Sequence, residues 1–283
     1  MNLLTYEFGL GGGSLLQIAN RSRTQMMSYI IDCPDGGTVV IDGGMYCDED
    51  AENLYRELEK RGKRVDLWFF THCHMDHYGA WLRLAEREDF DIDIGKLCFQ
   101  FPSREWLLTM ECRDYTEKLF ALLDAKPFPI VTTHYGDRFA CGGVTIEVLN
   151  ELGSYENYTH INPTTIILKA HFPARSVLFL GDFDVQAEEE FKRKFSVEAL
   201  RCDIVQMAHH GQNGTSRAFY ELIRPKYCLY TAPSWLWENR NRSRGGPETA
   251  GKGPYKTLET RRWMAEMQVI RSFHLGDGDW LFV

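Results

Sequence analysis

The segment His72-Cys73-His74-Met75-Asp76-His77, delivered by the apolar run Val65-Asp66-Leu67-Trp68-Phe69-Phe70-Thr71, constrains this chain more than any other stretch. A buried strand ending in three imidazoles and a carboxylate gathers borderline nitrogen donors and one hard oxygen donor into a single turn, the donor chemistry of a divalent metal site. A closed structural zinc site would draw on paired thiolates at short spacing. No such pair stands here, so coordination positions are left for water, as in a catalytic site. A His-rich surface loop is a poor account of a chain with only nine His in 283 residues.

The HxHxDH pattern after an apolar strand resembles the signature of the metallo-β-lactamase fold superfamily of metallohydrolases. Other segments extend the likeness over nearly the whole chain. Gly36 to Gly44, a strand ending in Asp42, resembles the first motif of that superfamily; Val177-Leu178-Phe179-Leu180-Gly181-Asp182 resembles the fourth, and Val205 to Gly211, with His209 and His210, the fifth. Within the superfamily, the His-His-Gly form and the early Phe8-Gly9-Leu10-Gly11-Gly12-Gly13-Ser14 are most similar to the hydrolase-like domain of DNA-internalisation competence proteins and to bacterial phosphorylcholine esterases. The resemblance implies a four-layer αββα sandwich of the α/β class. It also implies two metal ions, with His72 and His74 on one, Asp76 and His77 on the other, Asp182 between them, and Asp42 orienting a ligand from behind.

The residues support that split, because two metals about 3.5–4 Å apart need a bridging carboxylate and ligands arriving from several strand ends. Adjacent residues leaving a strand face opposite ways, so one of His209 and His210 is expected to bind metal and the other to touch substrate or stack behind the ligands; the sequence leaves open which. Many relatives place a further His just before the strand that precedes the bridging Asp. Here that stretch reads Tyr158 to Thr165, and either His160, as ligand or catalytic residue, or Asn162, at the substrate, fills the role. Asp184 reads as a helix cap or a solvated carboxylate. Cys73, between two ligand candidates, would point away from them on an extended backbone and reads as packing.

The 44% hydrophobic content suits one large domain over residues 1–283. No basic segment precedes an apolar leader and no stretch approaches ~20 apolar residues, so a cytoplasmic enzyme is expected. The eight Cys are scattered as reduced core thiols are. Lys and Arg number 32 against 40 Asp and Glu, a net charge of −8 that argues against long nucleic acid as a partner. A local cluster of Arg240, Arg242 and Arg244 beside Trp235 and Trp237 should emerge at the metal rim and hold a small anionic substrate.

Strands are expected at Leu4 to Phe8, Leu15 to Ile18, Ser28 to Ile31 and Val39 to Ile41 as a meander, and again at Val144 to Leu149, Thr165 to Leu168, Val177 to Leu180 and Ile204 to Met207. One helix is expected over Ser103 to Lys126, and others near Gln186 to Lys194, Ser216 to Arg224 and Lys256 to Met267. Strands followed by helices in each half agree with two sheets packed back to back. The expected activity is that of a dinuclear metal-dependent hydrolase whose metal-bound hydroxide, oriented by Asp76, attacks a small phosphoester. Zinc is the default for this donor set, and manganese and iron also suit it. The rivals are a lactonase, thioesterase or β-lactam hydrolase on the same scaffold, a noncatalytic metal-bound sensor, and a flavodiiron-like redox protein.

Overall fold

A computed structural model describes residues 3–241 and 249–283. Its architecture follows from where the chain can turn. After the strand Tyr29–Asp32, Pro34 and Asp35 lead into Gly36 and Gly37, both left-handed at φ 90° and 101°, and the chain returns antiparallel as Thr38–Ile41. The acidic first turn of Asp48–Glu59 then opens a helix that buries Ala51, Leu54 and Leu58. It carries the chain over the sheet, so that Leu67–Phe69 adds parallel to Thr38–Ile41.

The first sheet runs Leu3–Tyr6, Asp279–Phe282, Ser14–Gln17, Tyr29–Asp32, Thr38–Ile41, Leu67–Phe69, Leu97–Phe99 and Ile130–Thr132. The second runs Arg138–Cys141, Val144–Val148, Leu168–His171, Ser176–Phe179, Ile204–Gln206, Tyr227–Tyr230 and Arg271–His274. Tyr29, Phe69, Val148, Phe179, Leu229 and Phe273 belong to the core between them. Helices Asp48–Glu59, Met75–Ala85 and Arg113–Ala125 cover the outer face of the first sheet, and Trp81 and Leu119 of the helices share one core with Trp68 of the sheet. Val185–Lys194, Arg217–Ile223 and Thr257–Glu266 cover the second, and Phe191 and Phe219 of the helices share one core with Leu178 of the sheet. The protein is a four-layer αββα sandwich.

The second sheet is antiparallel on one side and parallel on the other, and the first is the same except that its edge strand Leu3–Tyr6 runs parallel to Asp279–Phe282. Thr38–Ile41, Leu67–Phe69, Leu97–Phe99 and Ile130–Thr132 are mutually parallel, as are Ser176–Phe179, Ile204–Gln206, Tyr227–Tyr230 and Arg271–His274. The metal-motif candidates leave the carboxyl ends of these parallel strands, where open α/β sheets leave a crevice. Among the described residues, no helix is long and apolar enough to cross a membrane.

Three expectations need correction. The opening strands are not a simple meander, because Asp279–Phe282 inserts between Leu3–Tyr6 and Ser14–Gln17. The helix expected over Ser103 to Lys126 is two, Arg104–Leu107 and Arg113–Ala125, broken where Cys112 takes a left-handed φ of 62°. The strand expected from Thr165 starts only at Leu168: Asn162–Thr164 is a 3-10 turn built on Pro163, and the Asn150 side chain takes up the next backbone groups, donating to Thr165 O at 2.9 Å and accepting from Ile167 N at 2.6 Å.

Candidate metal centre

His72 and His74 follow the strand Leu67–Phe69, while Asp76 and His77 lie in the first turn of the helix Met75–Ala85. Asp182 comes from the second sheet, on the turn after Ser176–Phe179. Gly181 permits that turn at φ 51°: a Cβ there would press on Thr165 Cγ2 at 2.7 Å and Thr71 Oγ1 at 2.8 Å. The buried Gln206 amide holds the turn, accepting from Gly181 N at 2.7 Å and donating to Gly181 O at 3.0 Å.

These side chains form two groups, His72 with His74 and Asp182, and Asp76 with His77 and His210; within each, the candidate ligand atoms lie within 4.8 Å of one another. Asp182 faces both. Its Oδ1 lies 3.1 Å from His77 Nε2 and 3.7 Å from His210 Nε2, while its Oδ2 lies 3.9 Å from His72 Nε2 and 3.7 Å from His209 Nε2. Asp76 Oδ1 lies 3.0 Å from His74 Nδ1, and Asp76 Oδ2 lies 3.1 Å from His210 Nε2.

Tautomers are set from outside the cluster. His77 Nδ1 meets Asp42 Oδ2 at 2.8 Å, and Asp42 also accepts from Thr71 N at 2.8 Å and Thr71 Oγ1 at 2.9 Å. His210 Nδ1 lies 3.2 Å from Thr231 O, and His72 Nδ1 lies 3.2 Å from Thr71 Oγ1. Each of these contacts turns Nε2 inward as a free donor, the arrangement that outer partners impose on metal-binding histidines.

Inside the cluster His72 Nε2, His74 Nδ1, Asp76 Oδ1, His77 Nε2, His210 Nε2 and both Asp182 oxygens are buried and make no hydrogen bond. Orphaned buried polar atoms are costly one at a time, so a convergent set of this kind fits divalent cations. The electrostatics agree. Burial pushes the Asp182 carboxyl up, yet His77, His209 and His210 overcome it and hold the group well below the usual carboxylate range. Burial presses His77 down, but Asp182 and Asp42 lift it to about 10. His72, by contrast, is driven well below the ordinary imidazole value by burial and by His77. The cluster attracts positive charge, which a proton on His77 supplies where a cation does not.

The pair His209 and His210 resolves in an unexpected way. The backbone is not extended there: both are left-handed, at φ 49° and 56°, and Gly211 follows at 82°. A Cβ on Gly211 would collide with the Tyr230 ring. This strained run, of a kind that persists only when its surroundings hold it, turns His210 into the second group and leaves His209 beside the first, with ring nitrogens 3.4 Å from Asn162 Nδ2. Asn162 is buried beside His209, and its Oδ1 makes no hydrogen bond. The structure does not bring His160 to either group. Its Nε2 contacts Gln186 at 2.9 Å, because the 3-10 turn that buries Ile161 and Asn162 leaves His160 outside.

A cleft of about 280 Å³ opens beside the cluster, lined by Thr24, Gln25, Met45, His74, Met75, Asp76 and Trp235. Trp237 instead stacks on His274 at 4.2 Å, with the Arg261 guanidinium 3.8 Å above its ring. Arg240 pairs with Glu238 at 2.5 Å. Arg242 and Arg244 lie outside the described residues. Asp184 caps the helix Val185–Lys194, accepting from Gln186 N, and Cys73 is packed in the apolar core. Thr71, Gln25 and Gln212 went unnoticed in the sequence. Gln25 donates to Asp76 Oδ2 at 3.2 Å and accepts from Gln212 at 3.2 Å; no spacing signal distinguishes such amides from ordinary loop residues.

A family profile described as the metallo-beta-lactamase superfamily matches residues 22–227. The chain belongs to the metallo-β-lactamase superfamily. Members are typically metal-dependent hydrolases, and this chain is an enzyme of that metal-dependent kind. Among solved structures, the metallo-β-lactamase fold protein YhfI from Bacillus subtilis superimposes with a TM-score of 0.55 at 10% identity, over 95% of this chain and 99% of that one. CmlA, a diiron β-hydroxylase from Streptomyces venezuelae, gives 0.54 at 13% identity, over 93% of this chain and 53% of that one, so the chain spans about half of CmlA. At these identities the likeness is one of fold. No curated protein matches the sequence significantly.

Proposed function

We propose that this superfamily member is a dinuclear hydrolase acting on a small ester-like substrate, a phosphoester before a lactone or thioester. The observation that carries the reading is Asp182, which presents one oxygen toward each group of imidazoles. His72, His74 and Asp182 would hold one ion and Asp76, His77, His210 and Asp182 the other. Two divalent ions so placed supply Lewis acidity toward an acyl or phosphoryl oxygen and make a water acidic enough to attack at neutral pH. The chain's own groups do the rest. Asp76, buried between His74 and His210, is placed to accept a proton and orient the attacking oxygen, while His209 and Asn162 stand where a substrate oxygen would meet hydrogen-bond donors.

Four imidazoles and two carboxylates suit zinc first and manganese or iron next. CmlA is a diiron enzyme, but likeness of fold at 13% identity does not carry its chemistry here. The net charge of −8 supports a small anion over long nucleic acid, and eight free thiols support a reducing, cytoplasmic setting. Kinship with the competence and phosphorylcholine esterase branches rests on the His209-His210-Gly211 form alone. Gly11 lies against Ala174, and Gly12 and Gly13 against Pro34, at the end of the sheets opposite the site. Assay of the zinc- and manganese-loaded protein on phosphodiester, phosphomonoester, lactone and thioester panels tests the reading. Turnover led by a phosphoester is expected, and metal-loaded protein inert on every panel would favour a sensor.

A further inference from the structure

At the end of the sheets remote from the metal groups, two tight turns meet. In the first sheet, Cys33 follows the strand Tyr29–Asp32; Cys33 N donates to Gly37 O at 3.0 Å and Gly36 N donates to Cys33 O at 3.1 Å. In the second, Cys141 ends the edge strand Arg138–Cys141, and the left-handed Gly142 and Gly143, at φ 44° and 86°, return the chain antiparallel to Val144–Val148. The turns dock on each other, with Asp35 N donating to Gly142 O at 2.9 Å. The approach is too close for a side chain on either glycine at the contact. A Cβ on Gly142 would strike Gly36 O and lie 2.8 Å from Cys33 Cβ, and one on Gly37 would lie 2.6 Å from Cys141 Sγ.

This docking brings two thiols together. Cys33 is buried, Cys141 is half-buried, and the Cys33 S–H donates to the Cys141 sulfur. Burial raises the Cys141 thiol, and the hydrogen bond from Cys33 works against it. Burial and the neighbouring Cys141 push Cys33 up much further. The thiol that solvent reaches is thus the easier of the two to ionise, and the second already points at it. Neither belongs to the metal groups.

We propose that Cys33 and Cys141 are a reversible two-electron oxidation site, which a hydroperoxide converts to a disulfide joining the two sheets. The Cys141 thiolate attacks the hydroperoxide: an S–O bond forms, the O–O bond breaks, and the departing alkoxide takes up the thiol proton as an alcohol. Cys33 then attacks the sulfenic sulfur; the S–S bond forms, the S–O bond breaks, and hydroxide leaves with the Cys33 proton as water. Two thiols and one hydroperoxide give one disulfide, one alcohol and one water. A dithiol reductant reverses the change, as suits a thiol pair that is reduced at rest. The cross-link closes a loop that contains the whole His72 to His77 segment, so it restrains the unfolded chain strongly while altering no metal ligand.

The test is brief treatment of the zinc-loaded protein with hydrogen peroxide, followed by alkylation, digestion and peptide mass spectrometry. Cys47, Cys112 and Cys202 are also half-buried, so the product is assigned peptide by peptide. The main disulfide should link Cys33 to Cys141 and vanish on reduction with dithiothreitol. The thermal midpoint should rise by about 5–10 °C, with zinc content unchanged. Cys33→Ser should lose both the link and the shift, and should leave Cys141 as a sulfenic acid that dimedone traps. Cys141→Ser, at an edge position, should likewise lose the link and the shift, which covers the case in which the buried position tolerates change poorly. Protein whose thiols stay unlinked, or link mainly as other pairs, overturns the proposal, as does a midpoint that still rises on oxidation of either variant. The hydrolase reading is independent of these results, since it rests on other residues.

Discussion

Replacing Asp42 by Asn changes one atom and should disable half of the metal centre. The carboxylate accepts from Thr71 N and His77 Nδ1, each at 2.8 Å, which makes His77 Nε2, 3.1 Å from Asp182, the nitrogen that gives up its proton to take a metal. In Asp42→Asn the amide oxygen can still accept from Thr71 N, but the NH₂ then faces His77 Nδ1. The ring must accept there and carry its proton on Nε2, the atom meant for metal. The flipped amide fares no better, setting NH₂ against the Thr71 N–H. Loss of such an outer partner weakens metal binding by about 10- to 100-fold, or about 1.4–2.7 kcal/mol at 1.36 kcal/mol per decade. The loss should be confined to the group of Asp76, His77 and His210. Competition with a chelator of known affinity should show one site weakened by that factor and the other nearly unchanged. Two sites of unaltered affinity would refute the tautomer argument.

Further outcomes follow from the same geometry. His210→Ala should lose the second ion, whereas His209→Ala should keep both ions and lower turnover; metal analysis of the pair separates the roles. Gly211→Ala, which would bring a Cβ into the Tyr230 ring at a left-handed backbone position, should cost about 1–3 kcal/mol by thermal unfolding and weaken the second ion along with it. Because His77 is raised to about 10 in the fold, its protonated form stabilises the chelator-treated protein; that contribution is complete below about pH 6.5, and the melting temperature of the metal-free protein should fall as pH rises toward 10. The same proton must leave on metal uptake, so calorimetry at pH 7 in buffers of different ionisation enthalpy should register proton release. His160→Ala should leave metal content unchanged while Asn162→Ala lowers kcat/KM, and a loss of metal in the His160 variant would return that residue to the centre.

The metal motif was legible because ligand chemistry demands particular side chains at particular intervals, and His72, His74, Asp76, His77 and Asp182 sit where strand ends should place them. What escaped reading depends on contacts distant in sequence. The insertion of Asp279–Phe282 beside Leu3–Tyr6 joins the two ends of the chain, and no local periodicity encodes it. The paired left-handed conformation of His209 and His210 contradicts the alternation that an extended strand would give, and it is enforced by the approach of Gly211 to Tyr230. Pro163 decides between His160 and Asn162 through a 3-10 turn that strand propensity in Thr165, Ile166 and Ile167 conceals. Thr71, Gln25 and Gln212 act by hydrogen bonds whose partners only the fold assembles.

The most direct test of the dinuclear account is metal stoichiometry by plasma mass spectrometry on protein never exposed to chelator, compared with Asp182→Ala. The account predicts close to two equivalents per chain in the unaltered protein, and loss of at least one equivalent together with hydrolytic activity in the variant. Two equivalents retained by Asp182→Ala would contradict the role of its carboxylate between the two groups.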